Sequence, residues 1–187
     1  MLVVIADTEI RYVNYPFVGV SVHPDGVVAA SEIREVDPRA TPPELRTEHG
    51  ETLFVVASDG SSLDDFCHRD AIAVRRRPDI WGDLLEPFLD TWFDPEHQRA
   101  TEQRLVRAGL SSAEIVEIRR RVEPAMMSYN FDSMLWDWVY LGLHDLLSAA
   151  NGVLVRPSAQ ATLGDPVQLY RWAMRIAAPT GGAMPMS

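Results

Sequence analysis

Lysine is missing from this chain: all 17 of its basic residues are arginine among 187 residues. Schiff-base catalysis, a phosphate-binding Walker lysine and a kinase-type lysine are therefore excluded unless another residue substitutes. With Ala, Val and Pro plentiful, this usage reads as the product of a GC-rich bacterial genome. Cysteine is nearly absent as well. The single Cys67 rules out an intramolecular disulfide and any cysteine-rich zinc site, and it fits a reducing compartment, so a cytoplasmic location is expected. Residues 61–67 read as a short capped helix with Leu63, Phe66 and Cys67 on one face, which makes Cys67 a small buried hydrophobe.

Positive charge is scarce: the formal net charge is −10, and both halves of the chain are acidic. Such a chain repels phosphate backbones and anionic lipid at long range, so no nucleic-acid partner is expected. The arginine runs at 75–77 and 119–121 lack interleaved aromatics and read as a solvated strand end and a solvated helix face. No long apolar run is present. The nearest approach, 134–147, is interrupted by Asp137, His144 and Asp145, which makes it too short and too charged to span a bilayer. Residues 1–6 are apolar but have no positive leader and run straight into Asp7 and Glu9, so they read as a first strand.

Glycine clusters are missing too. The only adjacent pair, Gly181-Gly182, lies near the end of the sequence, so neither a dinucleotide fingerprint nor a P-loop is present, and there is no Gly-x-Ser-x-Gly. Ser61, Ser62, Ser111 and Ser112 are explained by their positions as helix caps.

What is present reads as an α+β protein. The 47% apolar content is enough for a core without a staple. Strand signals occupy 2–5, 10–13, 17–22, 27–29, 33–36 and 52–57, with His23-Pro24-Asp25-Gly26 as the clearest hairpin turn and His49-Gly50 as the next. These predict a mostly antiparallel meander over 1–77 with one short helix, and 71–76 reads as a strand returning to the sheet. From 78 to 178 the period becomes helical and predicts a four- to five-helix array packed on that sheet, with 179–187 as a flexible tail.

Several helix boundaries carry their own chemistry. Asp94-Pro95-Glu96 is a strong helix start, and Ser111-Ser112-Ala113-Glu114 supplies a capping box for a helix with Ile115, Ile118 and Val122 on one face. Pro87 and Pro124 predict breaks or kinks. Residues 131–149 read as one long apolar helix closed by Asn151-Gly152, and a last helix opens at Asp165-Pro166. The order of strands, short helix and strand, with Val27–Val36 leading through Ser31-Glu32-Ile33, resembles small bacterial sheet modules such as PH-like barrels over about a third of the chain. That resemblance implies a fold and no function.

Candidate chemistry is fragmentary. Asp94 and His97 stand three apart on a helix, a spacing that can share a metal ion, but no Glu-x-x-His or His-Glu-x-x-His accompanies them, and neither a metal nor another cofactor is expected. His144 sits between apolar neighbours and makes a candidate base or pocket residue with Tyr140, Asp137 or Asp145; the competing reading is a core histidine bonded to a carbonyl or an acid.

Trp81, Trp92, Trp136 and Gly142 are candidate interaction residues. Trp136 and Trp138 point about 200° apart on a helix, so one face cannot bury both, and a mid-helix Gly142 implies close approach of another helix. Trp138 reads as core and Trp136 as the more exposed. Two functions follow. One is a non-enzymatic protein-interaction or self-assembling module, most simply a homodimer through the aromatic helices. The other is a small enzyme or ligand-binding protein with a pocket between sheet and helices near His144.

Overall fold

The computed structural model describes residues 1–55, 60–89, 94–132 and 140–178. The chain divides into two compact units: Met1–Arg77 with Pro166–Met174, and Pro78–Asp165 with Arg175–Ser187.

The first unit contains two sheets. Strands β1 (Leu2–Ile5), β2 (Glu9–Val13) and β3 (Gly26–Ala29) form an antiparallel sheet in which Val4 faces Arg11 and Arg11 faces Val27. Side chains alternate across it as the pleat requires: Ile10, Tyr12 and Val28 are buried, while Leu2, Val4, Arg11 and Val27 point outward. The second sheet has the order β6 (Thr52–Phe54), β5 (Glu44–Thr47), β4 (Ile33–Asp37), β7 (Ala73–Val74). Val36, Leu45 and Leu53 stand side by side across three strands and are fully buried, each stabilising the fold by roughly 2 kcal/mol on an area basis. β7 returns parallel to β4, which requires a crossover, and β5, β6 and the helix α1 (Gly60–Arg69) provide it. Leu63, Phe66 and Cys67 on α1 are buried together.

Residues 17–22 do not form a strand. Phe17, Val20 and Val22 are buried, but the backbone runs through turns, with Gly19 at φ +89° and Asn14 at φ +52°. The loop is closed by its own bonds: the Tyr15 N–H donates to the Pro24 carbonyl (2.7 Å) and the Asn14 N–H to Asp25 Oδ1 (2.9 Å). Burial explains the β-branched residues there, and the ladder is not needed. Conversely β5 was not expected, because Pro42, Pro43 and the charged Glu44 and Arg46 hide its period.

An edge-to-face aromatic row, Tyr12 to Tyr15 to Phe17 to Phe54 with centroids 5.1, 5.4 and 5.8 Å apart, fills this core. The last helix, α7 (Pro166–Ala177), was grouped by sequence with the other helices, yet its Pro166–Met174 part clusters with the strands. Its Tyr170 hydroxyl donates to the Thr52 carbonyl (3.2 Å), and Val167 lies so close to Gly19 that a Cβ there would stand 3.1 Å from the Val167 Cα.

The second unit is helical: α2 (Ile80–Leu85), α3 (Pro95–Arg107), α4 (Ser112–Met127), α5 (Leu143–Asn151) and the short α6 (Pro157–Gln160). The chain is α+β as a whole. α2 ends before Pro87, which sits in a following 3-10 turn, Glu86–Phe88. Ser111 and Glu114 form the capping box of α4, and Ile115, Ile118 and Val122 are buried along one face of it.

Two expectations fail here. Pro124 does not break α4, which runs on to Met127; the carbonyl that loses its helical donor belongs to Arg120, which is exposed and can bond water. Nor is 131–149 one helix. A π-helical turn covers Ser128–Asp132, the backbone at 140–142 is not helical, and Gly142 is the N-cap of α5 rather than a mid-helix residue. The apolar stripe of α5 is therefore nine residues long, too short to carry the argument for a helical dimer seam.

Candidate functional site

The polar groups of the helical unit converge at the first turns of α2 and α5. Asp79 caps α2: its Oδ1 accepts the Gly82 N–H at 2.8 Å, while its Oδ2 accepts the Tyr140 hydroxyl at 2.6 Å. Two glycines leave room for this pair. A Cβ on Gly82 would collide with the Asp79 carboxylate, and one on Gly142 would collide with the Tyr140 ring and hydroxyl.

Asp145, three residues beyond the Gly142 cap, reaches back so that its Oδ2 accepts the Gly142 N–H at 2.8 Å, and the Tyr129 hydroxyl donates to its Oδ1 at 3.3 Å. Asp145 is buried, 4% exposed. Burial pushes its pKa up to about 6, with the negative Asp79 adding to the rise, and the hydrogen bonds from Gly142 and Tyr129 only partly offset it. Burial, and then the Asp145 charge, push Tyr129 up to about 12. His144 is half-buried, and burial pushes its pKa below the ordinary histidine value, which favours the neutral imidazole. Adjacent positions on a helix diverge by about 100°, which turns His144 and Asp145 toward different surroundings.

A second polar chain joins α2 to α3 and was not anticipated. Arg104 grips Asp83 with Nε and Nη2 at 2.6 to 3.1 Å, and Nη2 also donates to the Thr101 hydroxyl at 2.9 Å. Thr101 donates in turn to Glu86 Oε2 at 2.8 Å, and Glu86 Oε1 pairs with His97 Nε2 at 2.6 Å. The spacing of His97, Thr101 and Arg104 on one helix face was a usable signal, but their partners, Asp83 on α2 and Glu86 in the turn after it, were not visible in it. Arg119 adds bonds to the Asp83 and Leu84 carbonyls.

These contacts reassign several candidates. Asp94 spends Oδ1 on the N–H groups of Glu96 and His97 as the cap of α3, so the Asp94 and His97 spacing serves a cap and a hydrogen bond from His97 to Glu86. Among the described residues no group of three or more His, Cys, Asp or Glu side chains gathers to hold a metal ion. Trp81, offered as an interaction residue, is 2% exposed and belongs to the core of the helical unit, leaving none of its indole for a partner. Trp92, Trp136, Asp137 and Trp138 lie outside the described residues.

Two open grooves border the helices. One, of about 400 Å³, is lined by Asp79, Asp83, Arg104 and Arg107 with Ile80 and Leu105; the other, of about 550 Å³, by Met127, Ser128, Phe131 and Arg156 with Pro124 and Ala159. His144 and Asp145 line neither of them. Among the described residues no helix is long and apolar enough to cross a membrane. No family model matches the sequence, and no curated protein or solved structure matches it.

Proposed function

We propose that this protein is a non-enzymatic protein-interaction module of the bacterial cytoplasm. The observation that carries the reading is the outer face of the β1–β2–β3 sheet, where Leu2, Val4 and Val27 are 57%, 45% and 46% exposed around the ion-paired Arg11 and Glu9. Exposed apolar side chains grouped on one sheet face of a charged chain support a place where another surface sits. The groups equipped for chemistry support the same reading. Asp79, Asp145, Tyr129 and Tyr140 hold helix caps and one another, and a catalytic acid or base must instead reach a substrate proton. The buried Cys67 thiol, pushed up to about 11 by burial, suits a reducing compartment.

A photoreactive residue placed at Val27 in cells tests the reading. Covalent adducts to protein, either this chain or another, should form there in excess over a probe at Val116, an exposed position on α4. Equal labelling at the two positions would remove the support. A second reading, a small ligand-binding protein, draws on the near-neutral Asp145 beside Tyr129. A small carboxylic acid or amine that raises the melting temperature of the wild type, but not of His144→Ala, would favour it.

A further inference from the structure

Resting on that interaction reading, we infer that a second copy of the chain extends this sheet, joined edge to edge through β1 about a two-fold axis at Val4. β1 closes one side of its sheet and, among the described residues, hydrogen-bonds to no strand but β2. The Ala6 N–H donates to the Glu9 carbonyl at 2.9 Å, which sets the parity of the ladder. Leu2, Val4 and Ala6 bond inward to β2, so Val3 and Ile5 turn their N–H and C=O groups to the open side. An edge of apolar, β-branched residues without charge or proline is a template for another strand, and natural sheets seldom leave one bare.

The strand's own sequence points to a second copy as the occupant. Two chains of net charge −10 repel each other, which favours contact where neither carries a charged side chain, and residues 1–6 carry none. In an antiparallel pairing centred on Val4, the strand is close to self-complementary: Val3 meets Ile5, Leu2 meets Ala6 and Val4 meets Val4. Arg69 already donates to the Ala6 and Asp7 carbonyls at 3.2 and 3.0 Å, which ends the ribbon at Ala6, before the first acid. The same register holds the two Asp7 residues roughly 20 Å apart, beyond the ~8 Å over which exposed charges act at physiological salt. The result is a continuous six-stranded sheet whose outer face joins Leu2 and Val4 of both copies.

Sedimentation equilibrium of the whole chain from about 5 to about 200 µM should show a mass rising from 20.9 kDa toward twice that value. Val4→Arg should hold it at the single-chain mass while leaving its melting temperature within a degree or so of wild type, since the replaced side chain is solvent-facing. Val4→Cys should oxidise to an interchain disulfide dimer, because directly opposed non-hydrogen-bonded residues stand about 4.5 Å apart at Cα, whereas Leu2→Cys should not. The buried Cys67 is the only other thiol. A concentration-independent mass of 20.9 kDa, or equal cross-linking of the two cysteine variants, overturns the two-fold pairing. If Val27 then still captures a different protein, the interaction reading survives and only the self-pairing falls.

Discussion

Tyr140 donates its hydroxyl to Asp79 Oδ2 at 2.6 Å, joining residues 61 positions apart, and the same carboxylate caps α2 through its other oxygen. The bond ties the chain entering α5 to the start of α2 within the helical unit. Tyr140→Phe should therefore cost about 1 kcal/mol of unfolding free energy, and Asp79→Ala about 2 kcal/mol, because it removes a cap as well. Gly142→Ala should be at least as costly as Asp79→Ala, and most of that cost should disappear in a Tyr140→Ala background, where the colliding ring is gone. Urea melts of the single and double variants decide this; additive costs for Gly142→Ala and Tyr140→Ala would contradict it.

Asp145 predicts a pH dependence with a definite sign. Its folded pKa, about 6, lies above the ordinary aspartate value of 3.8, so between those values the folded state holds a proton that the unfolded state has released. The contribution is whole below about pH 4 and is lost as pH rises through about 6, to a total on the order of 3 kcal/mol. Asp145→Asn keeps an oxygen for the Gly142 N–H and does not titrate. The stability of the wild type relative to Asp145→Asn should thus fall from pH 4 to pH 7 and then level off; a difference that is flat or rising across that range would show the buried-acid assignment to be wrong.

The chain from His97 through Glu86 and Thr101 to Arg104 and Asp83 should behave as a unit with a buried centre. Thr101 is 1% exposed and both donates and accepts, so Thr101→Val should cost about 1 to 2 kcal/mol by leaving its partners short of a bond. Arg120→Ala, which breaks an ion pair whose two side chains are both exposed, should cost clearly less than Thr101→Val. Equal costs for the two would deny the network its structural role.

Gly19 and Gly50 separate backbone strain from packing. Both have φ near +80 to +90°, but a Cβ at Gly19 meets the Val167 backbone, whereas one at Gly50 meets nothing within 4 Å. Gly50→Ala should cost about 1 kcal/mol from backbone strain, and Gly19→Ala clearly more, read from melting temperatures of the two variants. Similar losses would mean that α7 yields freely at Val167.

Much of the local structure was legible in the residues, because capping is a contract between neighbours. Asp94 before Pro95 and Ser111 three before Glu114 each satisfy their own helix's first N–H groups, whatever lies elsewhere. The face made by Ile115, Ile118 and Val122 was legible for the same reason. The candidate site was legible only in part. His144, Asp145 and Tyr140 were singled out, but Asp145 was read as a possible pocket acid when its spacing from Gly142 makes it a cap, and Asp79 was missed because its second partner is Tyr140.

By itself the sequence determined the α+β class, the helix starts, the exclusion of lysine and disulfide chemistry, and the uncharged first strand. The tertiary structure alone decided that Phe17, Val20 and Val22 bury as turns, that β7 lies parallel beside β4, that α7 completes the strand unit, and that Asp145 titrates near 6. The division follows from range: periodicity and caps record bonds between residues a turn apart, while strand order, loop burial and a carboxyl's solvation depend on which distant surfaces meet and exclude water.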